Sequence, residues 1–348
     1  MAVQLKLAIA GAGAITDRAH IPALKTIAAA RIVAIQSRTR GKAERLAGSH
    51  FPANDRPRTY DNYDEMLQRE RPDAVCVFTP NRYHCEYALK ALAIGAHVLV
   101  EKPMAPTAAE CRKMVDTAAR AGRVLMVAMQ RRYGSYECAV KRAIDVGAIG
   151  RPTFIRARLS HGGPDTWAPG QSWFYDPVEA GGGAMLDLGV HVSDLALWFM
   201  GEAASVVGQV ATVGPQAQVD ESGAMVVRFR SGALGVIEAS WSSTPGLSSM
   251  EIYGTDGRIM VGYPRFDIAV QRSDGSDAPG FSRDDILSGF DPRDLLAPFR
   301  ALAANFVAAA QGHADPAPTG TDGMRAIELV EACYLSSRTG SRVNLPLE

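Results

Sequence analysis

Leu5-Lys6-Leu7-Ala8-Ile9-Ala10-Gly11-Ala12-Gly13-Ala14-Ile15-Thr16 decides the fold of this 348-residue chain. An apolar run meets two glycines one residue apart, and a helical pattern carrying Ile21, Leu24 and Ile27 follows. This reads as strand, glycine turn, helix. Such a turn presents amide hydrogens and the positive end of a helix dipole to a pyrophosphate, so Gly11, Gly13, Ala14 and Ile15 are candidate cofactor contacts. Thr16 stands where the G-x-G-x-x-G/A pattern has its third small residue, which predicts a looser helix–strand contact.

Outward from this unit the pattern alternates. Arg31 to Ser37, Ala74 to Thr79, His97 to Val100 and Val124 to Ala128 read as strands; Ala43 to Leu46, Tyr83 to Gly95 and Ala108 to Gly122 read as helices. Alternation of this kind predicts a doubly wound parallel sheet, with ligands at the carboxyl ends of its strands. At the second strand end Ser37-Arg38 replaces the carboxylate that would bind a ribose 2'-hydroxyl and repel a 2'-phosphate, so the chain leans toward NADP over NAD. An Arg38 that only stacks on adenine or lies in solvent leaves NAD usable.

Composition narrows the class. Lysine plus arginine balance aspartate plus glutamate at 37 each, giving no field for nucleic acid or anionic lipid. No apolar run approaches the ~20 residues of a membrane span, and residues 1–10 lack a signal-peptide pattern. The five cysteines form no C-x-x-C pair and the seven histidines no ligand cluster, so the expectation is reduced thiols, no metal and a cytoplasmic address.

Two segments carry chemistry. Val98-Leu99-Val100 runs into Glu101-Lys102-Pro103, placing Lys102 at a strand's carboxyl end with a proline fixing the backbone after it. An exposed, ordinary lysine is the plain alternative. Farther on, Gly181-Gly182-Gly183-Ala184-Met185-Leu186-Asp187-Leu188-Gly189-Val190-His191 sets an acid and an imidazole at i and i+4 if Met185 onward is an α-helix. A carboxylate beside an imidazole fixes its tautomer and raises its basicity, as a proton-transfer site requires. An amphipathic helix with a solvated Asp/His face is the other reading.

Together these residues resemble the Gfo/Idh/MocA oxidoreductases: Gly-x-Gly after the first strand, Thr79-Pro80-Asn81 with His84, Glu101-Lys102-Pro103, and the glycine-rich Asp187/His191 segment. Gln130-Arg131-Arg132-Tyr133, Gly147 to Pro152 and the tail from Ala332 to Pro346 share the family's look. The resemblance implies an α/β protein with an N-terminal Rossmann doubly wound parallel sheet, residues 1–127. A C-terminal α/β domain with a large, mostly antiparallel open sheet follows, residues 128–348. It implies Lys102, Asp187 and His191 as catalytic residues; Thr79, Pro80, Asn81, His84, Glu101, Lys102, Gln130 and Trp173 as further cofactor contacts beside Ser37 and Arg38; and Arg132 and His161 as substrate contacts with Lys102, Asp187 and His191.

The activity so implied is hydride transfer between NAD(P) and a hydroxyl or ketone of a sugar, cyclitol or glycoside. A cofactor-retaining glycosidase and a non-catalytic NAD(P) sensor are the alternatives.

In the second half, a helix from Ser135 to Val146 precedes strands at 153–161, 206–213, 224–230, 234–242, 250–254, 258–261 and 267–271. Arg228 and Arg230 alternate with Val227 and Phe229, a half-buried sheet whose polar face suits a homodimer or homotetramer. His161 to Ala180, with Trp167, Trp173, Phe174 and Tyr175, reads as a loop that closes over a ligand. Asp274 to Asp291 reads as a polar insertion, and Pro298 to Gln311 and Thr321 to Ser337 as helices.

Overall fold

A computed structural model describes residues 4–214, 217–262, 267–288, 291 and 293–347. Strands β1 (Leu5–Ala10), β2 (Ala30–Gln36), β3 (Arg58–Tyr60), β4 (Ala74–Val77), β5 (His97–Val100) and β6 (Leu125–Val127) alternate with helices α1 (Ile21–Leu24), α2 (Arg40–His50), α3 (Tyr63–Glu70), α4 (His84–Ala93) and α5 (Ala108–Ala121). After α6 (Ser135–Asp145) come β7 (Pro152–Ser160), α7 (Pro177–Ala180), α8 (Val190–Met200), β8 (Ala203–Ala211), β9 (Ser222–Phe229), β10 (Leu234–Ser240), β11 (Leu247–Gly254), β12 (Gly257–Gly262) and β13 (Asp267–Arg272). Helices α9 (Arg283–Leu287), α10 (Ala297–Ala310) and α11 (Gly320–Thr339) and strand β14 (Val343–Asn344) complete the order. The chain forms two compact units: residues through Gln130 with Leu296–Met324, and Arg131–Leu295 with Arg325–Glu348.

The first unit holds a six-stranded sheet in the order β3-β2-β1-β4-β5-β6, every pair parallel. Its central strands are buried along their length, as a sheet covered on both faces requires: all of β4 is buried, and all of β1 except Lys6. The strand order reverses between β1 and β4, where a doubly wound sheet opens a crevice at its carboxyl edge. Helix α5 starts at Thr107, whose side chain accepts from the Glu110 amide, and stops at Gly122 in left-handed conformation. The segment 296–324, distant in sequence, packs with this unit; Phe299 of α10 meets His20 edge-on at 5.3 Å.

The second unit holds an eight-stranded sheet, β13-β12-β11-β7-β10-β9-β8-β14. Only β7 and β10 pair in parallel; the other neighbours are antiparallel. Strand β9 shows why one face is covered: Met225, Val227 and Phe229 are buried, while Val226 and Arg228 point outward. Helix α8, almost wholly buried, packs on the inner face against β7 and β10. Within the insertion expected at 274–291, α9 opens with a capping box between Ser282 and Asp285, and residues 289 and 290 lie outside the described residues.

Candidate active site

In the first unit the cofactor candidates follow the carboxyl ends of the strands: Gly11 to Ile15 after β1, Ser37 and Arg38 after β2, Thr79 to Asn81 after β4, Glu101 and Lys102 after β5. Gly11 has φ +110°, and a Cβ on it would lie 2.1 Å from the Phe78 carbonyl oxygen, so glycine is required for β1 and the β4 exit to approach. Gly13 differs: a Cβ there meets nothing within 4 Å. The two glycines thus divide the labour, one for chain approach and one beside open space.

After a first α-type bond, from the Asp17 amide to the Gly13 carbonyl at 3.1 Å, the helix widens into a π-type turn over Thr16–His20, a geometry that recurs at functional sites. The Thr16 Oγ1, Thr79 Oγ1 and Gln130 Oε1 atoms are buried with no hydrogen-bond partner among the described residues. Native interiors rarely leave such groups unmet. Thr16 and Thr79 flank the open glycine turn and Gln130 follows β6; orphaned polar atoms at these strand exits fit a polar dinucleotide. Arg38 lays its guanidinium over the Tyr83 ring at 4.2 Å, and Ser37 Oγ accepts from the Thr39 amide at 3.3 Å.

Behind Lys102 the polar groups are already matched. Glu101 places Oε1 2.7 Å from His20 Nε2 and accepts the Lys102 amide on Oε2 at 2.7 Å. His20 stacks on Phe78 at 3.8 Å. His84, expected to touch cofactor, is instead fully buried, with Nδ1 2.8 Å from the Pro103 carbonyl and Nε2 2.7 Å from the Thr79 carbonyl. It clamps the β4 and β5 exits from within. Burial pushes its imidazole below the ordinary histidine range, against the opposing pull of the two carbonyls.

In the second unit the α-helix expected from Met185 starts later. Met185–Gly189 forms a π-type turn and the α-helix begins at Val190. Asp220 caps the entry to this turn: its carboxylate accepts the Gly183 amide at 2.7 Å and the Met185 amide at 2.8 Å, and its carbonyl accepts the Ala184 amide at 2.8 Å. Only glycine at 183 permits this, since a Cβ would sit 1.8 Å from the Asp220 carbonyl oxygen. The Tyr334 hydroxyl donates to the same carboxylate at 2.7 Å, and its own pKa is raised by burial and by that carboxylate.

Asp187 and His191 are each 6% exposed, so they do not form a solvated face. Asp187 Oδ2 accepts the indole N–H of Trp241 at 3.1 Å. His161 accepts the Gly163 amide on Nδ1 at 2.9 Å, which puts the proton of its neutral ring on Nε2. Arg132, expected to bind substrate, forms a two-pronged buried pair with Asp194 of α8, with Nη2 2.7 Å from Oδ1 and Nε 2.9 Å from Oδ2. Trp173 stacks on Phe174 at 3.9 Å in the short helical turn Ser172–Tyr175. Trp241, Asp220, Tyr334 and His20 were not singled out by sequence reading. Their partners lie far off in sequence and no local spacing marks them.

Among the described residues no group of three or more His, Cys, Asp or Glu side chains gathers to hold a metal, and no helix is long and apolar enough to cross a membrane.

Comparison with known proteins bears on the family and the fold. A family model described as "Oxidoreductase family, NAD-binding Rossmann fold" matches residues 5–129, and one described as "GFO/IDH/MocA C-terminal domain" matches residues 138–260. The 1,5-anhydro-D-fructose reductase of Ensifer adhaerens is 31% identical over 292 residues, covering 81% of this chain and 82% of the relative. The D-glucoside 3-dehydrogenase of Escherichia coli (strain K12) is 32% identical over 57% of this chain and 54% of the relative. Among solved structures, the WlbA dehydrogenase of Bordetella pertussis in complex with NADH and UDP-GlcNAcA superposes with TM-score 0.88 at 25% identity, covering 99% of both chains.

Proposed function

The chain belongs to the GFO/IDH/MocA family of NAD-binding oxidoreductases, and from that premise we propose that it transfers hydride between a nicotinamide cofactor and a hydroxyl or ketone of a sugar, cyclitol or glycoside. Relatives named as a reductase of an anhydro sugar and a dehydrogenase of a glucoside support that substrate class. The observation that carries the reading is the buried Asp187, held by an indole donor four residues before a buried His191.

When bound, the nicotinamide supplies the hydride acceptor for oxidation and the donor for reduction. His191 takes the proton of the reacting hydroxyl and returns it in reduction, an exchange that an imidazole can make in both directions. Asp187 orients that imidazole and stabilises its charged form. Lys102 donates a hydrogen bond to the reacting oxygen, where negative charge develops.

The amides of Gly13, Ala14 and Ile15 hold the pyrophosphate, joined by Thr16, while Gly11, whose own amide donates to the Gln36 carbonyl at 2.8 Å, lets the chain pass close to the β4 exit. Thr79, Pro80, Asn81, Gln130 and Trp173 contact the nicotinamide half. Glu101 and His84 act from behind by fixing the backbone around Lys102. Arg132 anchors α8 through Asp194, and His161 presents Nε2 toward substrate. Ser37 and Arg38 favour NADP over NAD, since both can hold a 2'-phosphate by charge-assisted hydrogen bonds.

The outer face of the second sheet supports a homodimer or homotetramer. One cross-strand row reads Val207, Val226, Val236, Arg156, Glu251 and Met260, with Val207 50% and Val226 48% exposed. Five cysteines without a disulfide fit the reducing cytoplasm.

A spectrophotometric screen of sugars, inositols and glycosides with NAD and NADP tests the proposal. Cofactor reduction by at least one sugar or cyclitol is expected. Tight cofactor binding with no turnover in either direction across the panel overturns it.

A further inference from the structure

Asp220 pins the backbone of residues 183–185. A buried carboxylate that can turn is a poor orienter of an imidazole, because the direction of its oxygens decides which ring nitrogen carries the proton.

Trp241 restrains that turning through a direct hydrogen bond to Asp187. It follows β10 and is itself 4% exposed, and its amide donates to the Glu221 carbonyl at 2.7 Å, one residue beyond Asp220. The indole is therefore rooted in the same strand edge that holds the glycine segment. Its Nε1–H reaches Asp187 Oδ2 at 3.1 Å, and its ring packs edge-on against Tyr175 at 5.8 Å. The Tyr175 hydroxyl in turn donates to Asp165 at 3.1 Å, within the aromatic loop. An indole N–H has one proton and accepts none, so it constrains the carboxylate without competing for the proton that His191 exchanges.

We infer that Trp241 is a positioning residue for the reaction: it fixes the Asp187 carboxylate through its indole N–H and ties that carboxylate to the aromatic loop through Tyr175. The inference rests on the reading of Asp187 and His191 as the proton-transfer pair.

The test replaces Trp241 by β-(3-benzothienyl)alanine, which keeps the ring shape and lacks the N–H, by 7-azatryptophan, which keeps the N–H, and by phenylalanine. Turnover is followed with 1,5-anhydro-D-fructose and NADPH or NADH as the first probe, and with the best substrate of the screen thereafter. Loss of a hydrogen bond to a charged group predicts a fall in kcat of about tenfold or more for the benzothienyl and phenylalanine variants. KM and NADH affinity stay within about twofold, and 7-azatryptophan retains kcat within about twofold of the native enzyme.

In an Asp187→Ala background the Trp241→Phe change costs less than about twofold, because nothing remains to be held. Full kcat in the benzothienyl variant, or an equal loss with and without Asp187, overturns the inference. If Asp187→Ala and His191→Ala themselves retain native kcat, the proton-transfer reading falls and this inference falls with it. If those two are inactive while the benzothienyl variant is fully active, only the role of Trp241 falls.

Discussion

Glu101 and His20 form a buried pair, Oε1 to Nε2 at 2.7 Å, on the inner side of the backbone that carries Lys102. Removing one partner leaves the other's polar group enclosed, and a half-broken buried pair costs far more than an exposed one. His20→Ala is therefore expected to destabilise the protein by about 2 kcal/mol in urea unfolding, the cost of a buried carboxylate oxygen left without its donor. His20→Gln, which can still donate to the carboxylate, is expected to lose less than half of that. Equal losses for the two variants would show that ring stacking on Phe78, not the polar contact, holds the site.

Gly11 and Gly13 are expected to fail in different ways. Gly11→Ala sets a methyl against the Phe78 backbone at φ +110° and should cost at least about 3 kcal/mol of stability. Gly13→Ala meets open space and should leave the unfolding midpoint nearly unchanged while weakening NADH binding about tenfold or more. Denaturation and fluorescence titration of both variants separate the two; a Gly13→Ala protein with native NADH affinity would remove the pyrophosphate from that turn.

Cofactor choice is expected to follow the end of β2. Arg38→Ala should lower the NADPH-to-NADH affinity ratio by about tenfold, the value of one charge-assisted hydrogen bond. Equal titration curves for the two cofactors in the native protein, unchanged by Arg38→Ala, would leave this arginine to its stacking on Tyr83 alone.

His84 links stability to pH. Burial holds its folded pKa below the ordinary 6.5, so below that pH the unfolded chain binds more protons than the folded one. Its contribution is fully present above 6.5 and is lost as pH falls from there toward the folded pKa. A His84→Gln variant should show a shallower drop in unfolding free energy below 6.5 than the native protein, measured by urea titration across that range. Parallel curves would place the charging elsewhere.

The parallel sheet was legible because its strands are continuous apolar runs closed by turns: Leu5–Ala10 and His97–Val100 begin and end where the pattern says. Strand β3 escaped notice because three residues carry no period, and α3 because it stops at Arg71, a left-handed residue that is not glycine. Asp187 and His191 were visible as a spaced pair. Their supports were not, because Asp220 and Trp241 reach them only once the second sheet has formed. The return of α10 to the first unit is likewise a packing fact, with Phe299 on His20, that no local spacing announces.

The central claim is that His191 moves the proton while Lys102 stabilises the oxygen. The most direct test is single-turnover hydride transfer, followed at the nicotinamide absorbance band, in His191→Ala and Lys102→Ala proteins preloaded with cofactor. The account predicts that each rate falls by roughly 10²- to 10⁴-fold while NADH affinity is kept within about threefold. Native hydride transfer in His191→Ala, with collapse only in Lys102→Ala, would contradict it.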